Sequence, residues 1–323
     1  MHEHLARALY YLGVHLLYAS MVWAAAWVLT SWVRASATTK YWIWLATSLN
    51  FMLPLGAVLD RIWATHLSWA RPLGAIGDVG ARLSESTTLV ALLGGSWLVG
   101  ATLMFIRLCL RVHAERLEAR IGASESALEQ NPGFLARGVP VKFAGMQQAP
   151  AVGGLVNPHI SLPRGIDRLL TKPELNAVLL HELTHARRHD NLARLIHEAA
   201  LCLLWFHPLV WITGSRLSLY RELSCDESVI RNARGRDLVS ALAKLASSEE
   251  PLLLQASASS FLTHRLERLT ASPAQRSGFA ANTAMIAVFC AALLAGVFGT
   301  IAHTACCFVP HGQSHIAHAC PRT

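Results

Sequence analysis

Long apolar segments dominate the hydropathy pattern of the chain. Three of them reach the roughly 20 residues that a helix needs to cross a bilayer, and they are residues 8–32, 87–106 and 279–302. A fourth segment, residues 41–59, is just long enough but contains Asn50 and Pro54. The pattern therefore predicts an α-helical integral membrane protein with about four transmembrane helices, three within residues 1–111 and one within residues 277–302.

The basic residues between these segments predict their orientation, because lysine and arginine concentrate in cytoplasmic loops. The first loop carries Arg34 and Lys40 without an acid. Arginines also follow the third segment and precede the fourth, and Arg265 is one of them. This distribution places the central region, residues 112–276, in the cytoplasm and both termini outside. The short Cys/His-rich tail, residues 303–323, would then be extracytoplasmic, where a disulfide is permitted.

Composition agrees with membrane insertion. The chain is 53% hydrophobic and only 15% charged, with a mean hydropathy of +0.36, which is more apolar than ordinary soluble proteins. The net charge of +8 is explained mainly by the cytoplasmic bias of basic residues. A nucleic-acid-binding protein would need a clustered basic face, so we expect no direct contact with nucleic acid.

The central region contains an H-E-x-x-H motif formed by His181, Glu182 and His185. Residues four apart share one face of an α-helix, so both imidazoles can reach a single Zn²⁺ while Glu182 takes a proton from a water at the metal. The context is helical, because residues 171–174 form a capping box with proline in the first turn. The alternative is a buried helix with two hydrogen-bonded histidines.

A hydrolytic zinc site normally has three protein ligands and one open position. Glu222 is the best candidate for the third ligand. It precedes Asp226 by four residues, so on a helix Asp226 shares its face and can hydrogen-bond the far nitrogen of a ligand histidine. Cys225 and Glu227 are rival ligands, although each points elsewhere if Glu222 faces the metal. The other interpretation of this pair is a solvated acidic helix face.

The secondary-structure pattern of the central region changes along the chain. Short alternating or β-rich stretches, residues 139–144, 151–156 and 159–162, are separated by turn-forming residues, and most of the chain after Pro173 is predicted to be helical. This is an α+β pattern. An edge strand beside the metal helix could bind an extended peptide by strand addition.

Residues 195–213 are long and apolar enough to be taken for a fifth span. A single crossing would leave His185 and Glu222 on opposite sides of the bilayer, where they cannot share a metal. Glu198 and Pro208 also argue against a lipid-facing helix. We therefore expect a bent helix that is buried, membrane-apposed or re-entrant beneath the site.

Several motifs in the same order resemble the BlaR/MecR-type membrane metallopeptidases of bacteria. They are residues 152–155 with 158–163, 180–191, 205–211 and 222–226. The resemblance covers roughly residues 5–302. It implies transmembrane helices flanking a cytoplasmic, gluzincin-like α+β zinc-metalloprotease domain in a bacterial inner membrane, with periplasmic termini.

The resemblance also implies the roles of individual residues. It implies the zinc ligands His181, His185 and Glu222, the catalytic base Glu182, and the supporting carboxylates Asp226 and Asp190. Sensors of this family cleave a cytosolic transcriptional repressor, or themselves, after an outer domain binds a β-lactam. Residues 303–323 are too few for a penicillin-binding fold, so we expect no direct antibiotic sensing by this chain.

The leading hypothesis is an integral-membrane zinc endopeptidase with a cytoplasmic active site. Its expected partners are a protein substrate such as a cytosolic repressor, the lipid bilayer and, as a homo-oligomer, a second copy of the chain. Two alternatives stay open. One is a housekeeping membrane protease resembling the HtpX and CaaX-prenyl protease group, and the other is a non-proteolytic signalling scaffold. For the carbonyl-stabilising residue, the sequence offers only a nearby histidine or Tyr220.

Overall fold

The computed structural model describes residues 2–53, 87–122, 138–144, 149–232, 234–248, 265, 269 and 279–307. The helices in this part of the chain are α1 (His2–Trp32), α2 (Ala37–Met52), α3 (Thr87–Gly122), α4 (Ile166–Leu169), α5 (Lys172–Arg188), α6 (Asp190–Leu203), α7 (Pro208–Arg231), α8 (Gly235–Ser248) and α9 (Phe279–Cys307). The strands are β1 (Val141–Ala144), β2 (Ala151–Gly153) and β3 (His159–Pro163). The protein is thus mostly helical, with a small sheet where the sequence predicted β structure.

Among the described residues, two helices are long and apolar enough to cross a membrane. They contain the stretches Leu12–Trp32 in α1 and Thr88–Ala114 in α3, which coincide with the first and third predicted spans. Most large apolar side chains of α3 are exposed in the structure, including Leu103 and Leu110. An uncovered apolar surface of this length is costly in water and stable in lipid.

The other two predicted spans remain predictions. Residues 41–59 begin in α2, which has 16 residues and ends at Met52, while residues 54–59 lie outside the described part of the chain. Much of α2 is buried, and it packs against α1, α6 and α7. The last predicted span lies in α9, whose described apolar stretch, Phe279–Ala295, is shorter than a bilayer crossing.

The small sheet packs against α5 and has the strand order β1-β3-β2. The central strand β3 pairs parallel with β1 and antiparallel with β2, so that Ile160 lies opposite both Val141 and Val152. Ile160 and Leu162 are fully buried in a core that includes Leu175 and other residues of α5. This packing fixes the edge strand β2 beside the helix that carries the H-E-x-x-H motif.

Helices α6 and α7 form a hairpin, so the apolar stretch 195–213 is not one continuous helix. Helix α6 ends at Leu203 and α7 begins at Pro208, because proline has no N–H to donate and fits the first turn of a new helix. Between them, the Trp205 indole donates to the Trp97 carbonyl oxygen at 3.2 Å. A Cβ on Gly100 would lie 2.1 Å from the Trp205 ring. The turn therefore lies beside the middle of the apolar stretch of α3.

Candidate metal centre

Helix α5 begins and ends at defined signals. The predicted capping box is present, with the Thr171 backbone N–H donating to Glu174 Oε2 at 2.7 Å. Glu174 also accepts hydrogen bonds from Ser240 and Lys244 of α8. Bonds to Lys244, Ser240 and Thr171 lower the pKa of Glu174 to about 2. The helix ends at His189, whose φ of 55° reverses the chain so that α6 starts at the next residue.

Three potential metal-ligand atoms lie close together, two from histidines of α5 and one from a glutamate of α7. His181 Nε2 lies 3.1 Å from His185 Nε2. Glu222 Oε2, on α7, lies 3.4 Å from the first of these atoms and 3.7 Å from the second. Arg221 pairs with the other carboxylate oxygen, Glu222 Oε1, at 3.1 Å. This leaves Oε2 facing the two imidazoles.

These distances fit a zinc ion. Ligand bonds of about 2.0–2.1 Å in tetrahedral geometry place neighbouring ligand atoms about 3.3 Å apart, close to the three separations of 3.1, 3.4 and 3.7 Å. Both histidines are buried. When their Nδ1 atoms carry the protons, His181 Nε2, His185 Nε2 and Glu222 Oε2 are all acceptors. Three converging acceptors are unfavourable without a cation among them, and the donor set suits Zn²⁺.

The Asp190 carboxylate fixes the orientation of the His185 ring. His185 Nδ1 donates to Asp190 Oδ2 at 2.6 Å, which directs the Nε2 lone pair toward Glu222. The Tyr41 hydroxyl donates to Asp190 Oδ1 at 2.9 Å. Arg188 donates to both carboxylate oxygens at 2.6 Å and lies over the Tyr41 ring. The family resemblance implied Asp190 as a supporting carboxylate, whereas nothing in the sequence identified Tyr41 or Arg188.

Asp226 holds His181 in a similar way. Asp226 Oδ1 lies 3.0 Å from His181 Nδ1. This is an ion-pair distance without the alignment of a full hydrogen bond, because Nδ1 has no hydrogen-bond partner by geometry. As predicted from their four-residue spacing, Glu222 and Asp226 face the same side of α7. The histidines therefore each have a buried carboxylate behind the ring, the usual arrangement around a metal-binding imidazole.

The pKa shifts show the electrostatic bias of the cluster. Burial opposes the charge of His181, but Asp226 and Glu222 raise the pKa of His181 to about 9. Burial is likewise outweighed at His185, where Glu222 and then Asp190 raise the pKa. Burial would raise the pKa of Glu222, but His185 and His181 lower it well below its usual range. The potential at the converging atoms thus favours a positive charge.

Arg265 is a site residue that the sequence analysis missed. Its Nε and Nη2 atoms donate to Asp226 Oδ2 and Oδ1, both at 2.9 Å. Its Nη2 lies 3.4 Å from His181 Nε2, and its Nη1 lies 3.6 Å from Glu222 Oε2. Burial opposes the charge, but Asp226, Glu222 and Glu182 raise the pKa of Arg265. The guanidinium is therefore a fixed cation at the rim of the ligand cluster.

The structure places the rival residues elsewhere. Glu227 Oε1 accepts from the Ala37 backbone N–H at 2.7 Å and so binds the N-terminus of α2. Cys225 is buried, 3.3 Å from Arg188, and belongs to a second group of metal-ligand types with His185 and Asp190. That group lies on the Nδ1 side of His185, where Asp190 already accepts from His185 and Arg188.

Glu182 and Tyr220 are the remaining residues for which the sequence suggested a role in catalysis. Glu182 is buried in the same helical turn as the ligand histidines. Tyr220, which the sequence offered as a carbonyl stabiliser, lies in the core with α1 and α2, with Lys40 over its ring at 5.7 Å. Tyr220 is therefore a packing residue, whereas Arg265 lies beside the converging atoms of His181 and Glu222.

Comparison with known proteins agrees with this architecture. The family model described as BlaR1 peptidase M56 matches residues 11–269. The chain belongs to this family. It is a family of metallopeptidases, which agrees with the cluster of two histidines and a glutamate.

Individual relatives match a shorter part of the chain. The Regulatory protein BlaR1 of Bacillus licheniformis is 38% identical over 88 residues, which are 26% of this chain and 14% of that protein. The Methicillin resistance mecR1 protein of Staphylococcus aureus is 24% identical over 115 residues, 36% of this chain and 19% of that protein. The match thus spans less than a fifth of either relative.

Proposed function

We propose that the chain is an integral-membrane zinc endopeptidase of a bacterial inner membrane, with its active site on the cytoplasmic side. The observation that supports this most is the convergence of His181 Nε2, His185 Nε2 and Glu222 Oε2 within 3.1–3.7 Å of one another. Such a three-ligand set leaves a fourth position open, as catalytic zinc sites do. Family membership supports peptidase activity, and the uncovered apolar surface of α3 supports membrane residence.

Glu182 is the general base in this proposal. A bound Zn²⁺ would polarise the scissile carbonyl and lower the pKa of a water to about 7. Glu182 takes the proton of the attacking water and delivers it to the leaving amine. Its place between the two ligand histidines keeps it within one helical turn of both, so it can act on the water without binding the metal.

Arg265 stabilises the carbonyl oxygen in this proposal. Its two hydrogen bonds to Asp226 hold the guanidinium in place, and Nη1 and Nη2 lie beside Glu222 and His181. A donor fixed where negative charge develops lowers the barrier because it need not reorganise during the reaction. The same hydrogen bonds orient Asp226 behind His181, so Arg265 is expected to influence both catalysis and ligand geometry.

The edge strand β2 provides a surface for an extended substrate. It packs beside α5, and the Asn191 side chain ties it to α6 by donating to the Val152 and Gly154 carbonyl oxygens at 2.8 and 3.0 Å. A peptide added along this edge would pair with the Val152 N–H, because Asn191 already donates to the Val152 carbonyl oxygen. We infer that the substrate is a cytosolic regulatory protein or the chain itself, because the named relatives are regulatory and resistance proteins.

Substitution of the base tests the proposed function. Glu182→Gln should abolish proteolysis of a co-expressed repressor from the same genome while zinc stays bound, because the base is not a ligand. Glu198→Gln is the matched control, since Glu198 pairs with Arg111 away from the metal ligands. Loss of zinc in Glu182→Gln would show that the roles are wrong. Wild-type protein that binds zinc but cleaves neither a repressor nor itself would favour the scaffold alternative.

A further inference from the structure

Helix α2 carries a row of buried residues that faces the metal-binding helices. Ala37, Tyr41, Trp44 and Ser48 follow one another at steps of three or four residues, so they share one face of α2. Each of them is at most 1% exposed. At the start of this row, the Ala37 backbone N–H donates to Glu227 Oε1 of α7 at 2.7 Å. The N-terminus of α2 is therefore attached to the helix that carries the third metal ligand.

Two further contacts join α2 to α6 in one register. The Tyr41 hydroxyl donates to Asp190 Oδ1 at 2.9 Å, and the Ser48 hydroxyl lies 2.9 Å from His197 Nδ1. Each contact joins residues that are 149 positions apart in the chain. The two packed helices therefore run in the same direction, with about two turns between the contacts on each. A position of α2 that allows one of these contacts also allows the other.

The Tyr41 contact lies on the carboxylate that orients a metal ligand. Asp190 Oδ2 accepts from His185 Nδ1 at 2.6 Å, so the three side chains form a chain of hydrogen bonds. Among the described residues, the other donor to this carboxylate is Arg188, which lies at the end of the same helix as His185. Tyr41 therefore ties the orientation of the His185 ring to a distant part of the chain.

Asp190 borders open space, so its carboxylate is not held by close packing on every side. Tyr41, Asp190 and His197 line a polar cavity of about 410 Å³ between α3, α6 and α7. Without the Tyr41 hydroxyl, Oδ1 would keep only its bond from Arg188 Nε. The carboxylate could then turn toward the guanidinium and draw the His185 ring with it. A partner that fixes the direction of a ligand imidazole typically contributes about 10–100-fold to metal affinity.

We propose that Tyr41 is a positioning residue of the metal centre, acting through Asp190 on His185. Zinc affinity then depends on how α2 lies against α6, and the predicted membrane span 41–59 begins in α2. A shift of α2 along α6 would withdraw the hydroxyl from Asp190 and weaken the site without touching a ligand. This inference rests on the proposed function, because it assigns a regulatory role at the same metal centre.

The test measures zinc affinity of the full chain in detergent micelles by competition with a chromophoric chelator. Tyr41→Phe keeps the ring that lies under Arg188 and removes only the hydroxyl. It should weaken zinc binding by about 10-fold. Ser48→Ala is the matched control, because it also removes a buried hydrogen bond between α2 and α6 but leaves Asp190 untouched. This control should bind zinc like wild type.

Two further measurements separate positioning from a general loss of structure. With Co²⁺ in place of Zn²⁺, the visible spectrum of Tyr41→Phe should differ from that of wild type, because a turned imidazole changes the ligand field. Ser48→Ala should have the wild-type spectrum. Asp190→Ala should weaken zinc binding by about 100-fold. Adding Tyr41→Phe to Asp190→Ala should cost nothing more, because Tyr41 acts through Asp190.

Three results would overturn this inference and leave the proposed function standing. The first is wild-type zinc affinity in Tyr41→Phe. The second is an equal loss of affinity in Tyr41→Phe and Ser48→Ala, which would indicate a general loosening of α2. The third is a further loss of about 10-fold when Tyr41→Phe is added to Asp190→Ala, which would show that the two residues act independently. Wild-type protein that binds no zinc would instead overturn both proposals.

Discussion

The metal centre and the polar cavity between α3, α6 and α7 share Asp190 and Arg221 yet distribute charge differently. At the metal centre the acids face imidazoles and guanidinium groups at 2.6–3.7 Å, and three acceptors converge on one point. In the cavity, Arg111 pairs with Glu198 and Arg221 pairs with Glu222, so acids and cations offset one another. The first arrangement suits a divalent cation, whereas the Arg111–Glu198 pair of the second joins α3 to α6. Neighbouring polar clusters on one pair of helices can thus be told apart by whether their acceptors converge on one point.

The largest expected effect separates the third ligand from its sequence neighbour. Glu222→Ala should reduce zinc affinity by more than the roughly 10–100-fold that the loss of a supporting residue costs, because one of three ligands is gone. Glu227→Ala should leave zinc content near normal, since Glu227 binds the N-terminus of α2. Metal analysis of both purified variants after dialysis checks this. Equal zinc loss in the two variants would contradict the assignment of Glu222.

The next effect concerns Arg265. Arg265→Gln should lower kcat by about 10²–10³-fold, as loss of a carbonyl-stabilising donor does, and should weaken a phosphonamidate transition-state analogue in parallel. KM should change little, and Arg265→Lys should restore part of kcat by keeping the charge. Arg231→Gln, at the exposed end of α7, is the control. A variant that loses zinc but keeps its activity per bound zinc would show that Arg265 only positions Asp226.

The smallest effect concerns Glu174 in the first turn of α5 and should leave the metal centre intact. The pKa of Glu174 falls from 4.5 to about 2 in the folded chain. Its carboxylate therefore stabilises the fold above pH 4.5, and this contribution is lost as pH falls toward 2. Glu174→Gln should lower the thermal unfolding midpoint by a few degrees at neutral pH, with zinc binding unchanged. The difference from wild type should narrow below pH 4.5. A constant difference down to pH 2 would contradict the assignment.

The predictable part of the site rests on short-range spacing. The capping box and the H-E-x-x-H motif lie within single helical turns, so their geometry follows from 3.6 residues per turn. The pairing of Glu222 with Asp226 follows from the same rule, and both side chains face His181. The resemblance supplied Asp190, which follows the helix-ending residue His189 directly. These features needed no knowledge of the tertiary fold.

The unpredicted part depends on long-range packing. Arg265 follows Asp226 by 39 residues, and only the fold brings them together. From the sequence alone, we interpreted Arg265 and Arg107 as basic residues that flank membrane spans and set their orientation. The structure gives each a specific environment, Arg265 beside His181 and Glu222 and Arg107 over the Trp211 ring. Tyr41, which donates to Asp190, could not be predicted because it is 149 residues away in the chain. Arg188 is only two residues from Asp190, but its contact depends on the chain reversal at His189, which the sequence analysis did not predict.

The most direct test of the account is the identity of the atoms around the metal. X-ray absorption at the zinc edge of the purified wild-type protein should show only nitrogen and oxygen neighbours at about 2.0–2.2 Å, two of them imidazole nitrogens. This is the result expected for His181, His185 and Glu222. A sulfur neighbour at about 2.3 Å would place the metal with Cys225 instead. That result would contradict the proposed centre and the catalytic role assigned to Glu182.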